Sequence, residues 1–194
     1  MLIKLLNKLQ SQVELIGLDV GTAAVKLVRL LKDADGYTVS AARKEDIHPA
    51  GNDKKQNTAV TEAIRQCIQK ANLDTRNVVC GIAGPDIMVR GFKFPPLPDE
   101  AIAQAVRFEM QQVCPFESRD VVLDYQLIDI PGDAAGQKTA KVKSRHGVMI
   151  ACTENVVKEK TTHLAEAGVK PLLVDANALA TLNCLNELEI LDTD

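Results

Sequence analysis

From Val13 to Asp19 the chain reads Val-Glu-Leu-Ile-Gly-Leu-Asp, and after Val-Gly-Thr-Ala-Ala it alternates apolar and polar residues from Val25 to Leu31. Alternation on both sides of a short Gly-containing turn predicts strand, tight turn, strand. Asp33 to Gly36 supplies a second turn and Tyr37 to Ile47 alternates again, so a meander of three antiparallel strands is expected. Gly51 to Asn57 is polar and reads as loop. Val60, Ala63, Ile64, Cys67, Ile68 and Ala71 then recur at helical spacing. That stripe predicts a helix of about four turns with one buried face. The run Asn77-Val-Val-Cys-Gly-Ile-Ala83 is apolar on both faces, as in a strand covered on both sides, and stops at Gly84-Pro85.

The pattern changes at Ile87, where Met-Val-Arg-Gly-Phe-Lys-Phe alternates and halts at Pro95-Pro96-Leu97-Pro98. An inserted subdomain is expected to open here. Asp99 and Glu100 suit the positive end of a helix whose stripe is Ile102, Ala105, Val106, Met110 and Val113, up to Pro115. Val121 to Ile130 reads as a strand, Pro131 to Lys143 as a Gly/Lys-rich loop, and Gly147 to Cys152 as a buried strand. Thr153 is an expected N-cap for a helix carrying Val157, Thr161, Leu164 and Ala165, closed by Gly168. Pro171 to Asp175 is a short apolar strand, and Ala176 to Leu188 returns to helical spacing through Leu179, Leu182 and Leu185. No internal repeat or low-complexity tract is present.

Composition narrows the function classes. With 46% hydrophobic and 25% charged residues, the 194-residue chain can bury a core, which excludes wholesale disorder. A net charge of −3 lacks the basic footprint of a nucleic-acid binder, and 3% aromatics without Trp leaves no base-stacking platform. Cys67, Cys80, Cys114, Cys152 and Cys184 form no C-x-x-C pair and read as reduced core thiols. Leu2, Ile3, Leu5, Leu6 and Leu9 are interrupted by Lys4, Asn7 and Lys8, so the first residues are expected to be an amphipathic segment, neither a signal peptide nor a membrane span.

The stretch Gly17-Leu-Asp19-Val-Gly21-Thr22-Ala-Ala-Val-Lys26 carries the most chemistry. An acid at a strand end, a Gly-Thr turn and a lysine on the returning strand are parts of a phosphate site. Turn amides can form a nest for anionic oxygens, Lys supplies a charge, and Asp can hold magnesium through water. The same residues also fit an ordinary hairpin, with Asp19 capping the turn and Lys26 solvated. Neither a Walker A loop nor a G-x-G-x-x-G fingerprint is present. His48, His146 and His163 stand in unrelated contexts without metal-ligand spacing, and Asp99/Glu100 and Glu187/Glu189 read as helix-end and solvent-face charges.

The order of these parts resembles the actin-like superfamily of sugar kinases and heat-shock chaperones. Within it the chain is similar to the PilM family of type IV pilus assembly. Four segments carry the resemblance: Gly17-Leu-Asp-Val-Gly-Thr-Ala-Ala-Val-Lys-Leu-Val; Leu97-Pro-Asp-Glu-Ala-Ile with Val106-Arg-Phe-Glu-Met-Gln-Gln-Val-Cys-Pro-Phe; Asp124-Tyr-Gln-Leu; and Ala167-Gly-Val-Lys-Pro-Leu-Leu-Val-Asp-Ala-Asn-Ala-Leu-Ala. The second resembles the inserted 1C subdomain of PilM more closely than that of the cell-division protein FtsA. The implied fold is α/β, an actin-like (ribonuclease H-like) lobe with an inserted 1C-type α+β subdomain and no second lobe. Residues 1–12 would be the amphipathic segment, 13–86 the first part of subdomain 1A, 87–146 the insertion, and 147–194 the return to 1A.

The resemblance further implies that Asp19 orients magnesium, that Gly21, Thr22, Ala23 and Ala24 cradle phosphates through their amides, and that Lys26 reaches the β/γ-phosphate region. Family members continue into a second lobe with another Asp-x-Gly loop and the adenosine pocket, and this sequence ends before that loop. Weak or absent binding of ATP and magnesium is therefore expected, since half a clamp loses chelation and exclusion of water. The implied partner is the N-terminal cytoplasmic peptide of a PilN-like inner-membrane protein, held between the first lobe and the insertion. Phe92, Phe94, Val106, Met110 and Val113 are the groove candidates, and plain core positions equally. Other pilus platform proteins, a cytoplasmic location at the inner face of the inner membrane and membrane association only through the partner follow from the same resemblance. Two alternatives stand beside this scaffold: a fragment of a sugar- or acid-kinase-like phosphotransferase, for which no acid clearly serves as general base, and the cytoplasmic domain of a type II secretion platform protein.

Overall fold

The computed structural model describes residues 16–32, 36–48, 53–73, 75–85, 87–116, 120–128 and 144–187. In chain order the elements are β1 (Ile16–Val20), β2 (Ala24–Lys32), β3 (Tyr37–Asp46), α1 (Asp53–Ala71), β4 (Asn77–Ile82), β5 (Ile87–Phe94), α2 (Asp99–Val113), β6 (Val121–Ile128), β7 (Arg145–Thr153), α3 (Glu154–Glu166), β8 (Lys170–Ala176) and α4 (Asn177–Glu187). The chain divides into two units, residues 1–82 with 157–194, and residues 83–156.

The first unit is built on a five-stranded sheet in the order β3-β2-β1-β4-β8. The expected meander is there: β1 pairs antiparallel with β2 and β2 with β3, while β4 runs parallel to both β1 and β8. Period two decides which side chains go inward. Ile16, Leu18 and Val20 of β1 and Val25 and Leu27 of β2 share a core with Ile64, Cys67 and Ile68 of α1, Val78 and Cys80 of β4, and Leu164 of α3. Each fully buried aliphatic residue there, Ile16, Ile64 and Leu164 among them, contributes about 1.5–3 kcal/mol. The opposite side of β1 and β2 is left to Gly17, Asp19 and Lys26, since a strand sends alternate side chains to opposite faces.

α1 and α3 are joined by polar contacts as well. Thr61 Oγ1 donates to Glu166 Oε2 at 3.2 Å and lies 3.4 Å from His163 Nδ1, and an Arg65 guanidinium nitrogen donates to the Glu166 carbonyl at 3.1 Å. α3 ends as its sequence predicts. Gly168 has φ +77°, and the pair of bonds Val169 N–H to Leu164 O and Gly168 N–H to Ala165 O closes the helix with a left-handed residue that only glycine adopts cheaply.

The second unit is a three-stranded antiparallel sheet in the order β5-β7-β6 with α2 packed on it. Ile102, Val106 and Met110 fall on one face of α2 and are buried with Phe92, Met149 and Ala151. A Cβ at Gly147 would overlap the Phe92 ring and the Gln126 carbonyl, so the glycine is what lets Phe92 cross β7. Arg145 fixes the start of α2, donating to Asp99 Oδ1 at 2.5 Å and to the Leu97 carbonyl at 3.2 Å.

Several boundaries differ from the sequence expectation. Residues 147–153 do not return to the first sheet: β7 is the central strand of the second unit, and the division falls at Val156 rather than 146. α1 begins at Asp53, inside the stretch expected to be loop, because helix can extend beyond its apolar stripe. Thr153, by contrast, stands where it was expected: it ends β7 and directly precedes the first residue of α3, the N-cap position. The amphipathic segment 1–12 and the loop 131–143 lie outside the described residues.

Candidate functional site

The end of β1 and the start of β2 form the candidate site. The register opposes Asp19 to Lys26 and Val20 to Val25, and Gly21 N–H donates to Ala24 O at 3.0 Å, which closes the hairpin around Thr22 and Ala23. Antiparallel partners point to the same face. Lys26 Nζ accordingly reaches Asp19 Oδ2 at 3.2 Å. The Lys26 and Asp19 side chains are 62% and 40% exposed, so this pair contributes about 1 kcal/mol at most to stability. Its meaning is positional, because it places a cation and a carboxylate beside an exposed turn.

The structure brings Asp19, Gly21, Thr22, Ala23, Ala24 and Lys26 together as expected from the sequence, with one difference in role. The amide of Gly21 is engaged by Ala24 and is not directed at a ligand. Ala24 is itself buried, and its carbonyl is the acceptor in that bond. Thr22 and Ala23 are exposed and form the tip. These residues fit the phosphate side of a nucleotide site in charge and exposure.

Two further residues reach this hairpin from distant parts of the chain. Asn177, the first residue of α4, donates from Nδ2 to Asp19 Oδ1 at 3.2 Å, so each oxygen of the Asp19 carboxylate has one donor. Gly81 on β4 makes this possible, since a Cβ there would overlap Asn177 Oδ1. Lys160 on α3 donates from Nζ to the Val20 carbonyl at 2.7 Å. Burial holds its amine below the usual lysine range, opposed by the charges of Cys80, Asp19 and Glu159. Sequence reading missed both. The available signal for Lys160 was its place on the apolar stripe of α3, three residues after Val157 and four before Leu164. For Asn177 it was a polar residue just past the end of a parallel strand, where α/β sheets collect ligands.

The five partner-groove candidates lie in the second unit, and for three of them the structure favours the core alternative. Phe92 is 7% exposed, Val106 0% and Met110 4%, and all three are core of the second unit. Phe94 and Val113 are half-buried at the margin of the same cluster, with Phe94 stacked on Phe92 at 4.9 Å between ring centroids. Among the described residues of this unit, the large apolar side chains that are exposed are different ones: Val89, Phe108, Val122, Leu127 and Ile128.

Among the described residues, no cluster of three or more His, Cys, Asp or Glu side chains could hold a metal, and no helix is long and apolar enough to cross a membrane. His163 is buried against Thr61, with Glu159 3.7 Å from its Nε2. Cys67, Cys80 and Cys152 are buried thiols, as expected, whereas Cys114 is half-buried and Cys184 exposed.

Comparison with known proteins adds to this geometry. A model of the family described as type IV pilus assembly protein PilM matches residues 17–190. Among solved structures, the chain is similar to one from a PilM–PilN type IV pilus biogenesis complex, with TM-score 0.74 and 22% identity over 90% of this chain and 50% of that one. It is also similar to the cytoplasmic domain of EpsL, an inner-membrane component of the type II secretion system of Vibrio cholerae, with TM-score 0.55 and 15% identity over 87% of this chain and 59% of that one. The chain thus spans about half the length of the first structure. The fold shared with it is the actin-like α/β arrangement expected from the sequence.

Proposed function

Because the chain belongs to the PilM family of type IV pilus assembly proteins, we propose that it is a scaffold of the pilus inner-membrane platform that binds the N-terminal cytoplasmic peptide of a PilN-like membrane protein. The observation that carries this reading is the family match across residues 17–190, which includes the whole of the second unit as well as the hairpin site. A protein of the same fold occurs in a PilM–PilN type IV pilus biogenesis complex. On this reading the protein works at the cytoplasmic face of the inner membrane, is held there through its partner, and contacts other platform proteins.

The hairpin site would enter this function as the phosphate side of an ATP site. Asp19 would carry magnesium through its water shell, and Lys26 would leave Asp19 Oδ2 for a phosphate oxygen, an exchange that keeps both charges paired. Phosphate contacts would come from the exposed Thr22–Ala23 tip. Affinity on this chain alone is expected to be weak, and no step of hydrolysis is assigned to it.

The test is a calorimetric titration of a synthetic N-terminal peptide of the neighbouring membrane-anchored pilus protein, with a scrambled peptide as control. Saturable one-to-one binding of the native sequence alone supports the reading. A folded chain that binds neither peptide refutes it for this half of the fold.

A further inference from the structure

The peptide between Val20 and Gly21 is held at both of its polar ends. Its carbonyl accepts from Lys160 Nζ at 2.7 Å, and its N–H donates to the Ala24 carbonyl at 3.0 Å. A trans peptide is planar, so fixing the oxygen and the N–H fixes the plane, and with it the direction in which the chain enters the turn. The two holders differ in kind. Ala24 is the local partner that any hairpin supplies, whereas Lys160 comes from a helix 140 residues away in sequence. A hydrophobic residue would satisfy the stripe position on α3 at lower cost, because a half-buried ammonium must be desolvated.

We infer that Lys160 is a positioning residue of an anion site at the β1–β2 turn, clamping the Val20 carbonyl so that the exposed Thr22–Ala23 tip meets a polyphosphate chain. The inference rests on the proposed phosphate half-site and adds to it a residue from α3. Lys26 is paired with Asp19 and largely exposed, while the half-buried position of Lys160 leaves its field less screened by water. The groups facing its amine are Asp19 on β1, Cys80 on β4 and Glu159 on its own helix. The Val20 carbonyl completes its surroundings among the contacts described.

The test uses the whole chain, isotope-labelled, titrated with sodium pyrophosphate to tens of millimolar at constant ionic strength while the backbone amide resonances of residues 21–24 are followed. In the native protein these resonances shift progressively. Lys160→Met makes the initial slope of shift against concentration about tenfold shallower, the effect of losing one charge-assisted hydrogen bond. Lys160→Arg, which keeps charge and donor, restores most of it. Thermal unfolding of both variants checks that the fold persists. Shifts at 21–24 that are equal in the native protein and Lys160→Met refute the role of Lys160 and leave the half-site standing. No shift at 21–24 in the native protein refutes the half-site, and the inference with it.

Discussion

Replacing Gly81 by alanine tests whether Asn177 is held on Asp19 as described. In most strand positions with ordinary φ this change is mildly stabilising, by about 0.4–1 kcal/mol, because alanine narrows the unfolded ensemble. Here the added Cβ overlaps Asn177 Oδ1 and lies 2.8 Å from its Cγ, both in one side chain. That side chain can rotate away, and doing so gives up its 3.2 Å bond to the Asp19 carboxylate. A hydrogen bond to a charged group is worth about 1.5–3 kcal/mol, and the partial exposure of Asp19 puts this one near the low end. The net expectation is a destabilisation of about 1 kcal/mol, or roughly 2–4 °C in melting temperature for a chain of this size. Asn177→Ala removes both the clash and the bond. In that background Gly81→Ala should change sign and become neutral or stabilising, a coupling that a double-mutant cycle by urea unfolding measures directly. Gly81→Ala that is neutral or stabilising in the native background would show that Asn177 is not packed on Asp19.

The remaining expectations concern other parts of the molecule. Met110→Ala should destabilise the second unit by about 3 kcal/mol through the cavity it leaves, measured by chemical denaturation, whereas a groove residue would lose peptide affinity with stability unchanged. Lys26→Met should change stability by less than about 1 kcal/mol, the pair being exposed, yet abolish the pyrophosphate-induced shifts at the turn; retained shifts would remove Lys26 from the site. Cys184 should react with a thiol reagent at once and Cys67, Cys80 and Cys152 only on unfolding, which a timed labelling experiment resolves. Burial pushes the Cys67 thiol up to about 11, so between the unfolded thiol pKa and that value the folded state holds a proton the unfolded state has lost. Stability should therefore fall as pH rises through that window, and Cys67→Ala should flatten the slope.

Much of this was legible in the sequence because the governing signals are local. Alternation from Val25 to Leu31 and the six-residue stripe from Val60 to Ala71 are direct consequences of strand and helix periodicity. The opposition of Asp19 and Lys26 likewise follows once the hairpin closes around Thr22 and Ala23. What stayed hidden is pairing across distance. The apolar run Gly147 to Cys152 announces a buried strand but not its neighbours, and its place between β5 and β6 rather than beside β4 is settled by tertiary register. The stripe of α2 was read correctly as a stripe. The same residues, Val106 and Met110, face the core of the second unit, the other of the two roles that the stripe left open. Lys160 and Asn177 escaped because their roles exist only where α3 and the start of α4 reach the β1–β2 hairpin.

The two proposed ligands place different demands on this half of the fold. A polyphosphate meeting the turn gains a few charge-assisted contacts of about 2 kcal/mol each, and association costs about 4 kcal/mol or more in lost freedom, which leaves affinity in the millimolar range or weaker. A peptide laid along an apolar surface draws on buried area rather than on a few charges, and its enthalpy does not depend on a second phosphate loop. The exposed apolar side chains of the second unit, Phe108 and Ile128 among them, supply such area within residues 83–156. Peptide binding should therefore survive in this chain at salt concentrations that extinguish phosphate binding, since exposed charge pairs are screened and apolar contacts are not. Running the peptide titration at low and high salt separates the two: constant affinity identifies an apolar groove, and a steep loss would instead assign the peptide to the charged hairpin.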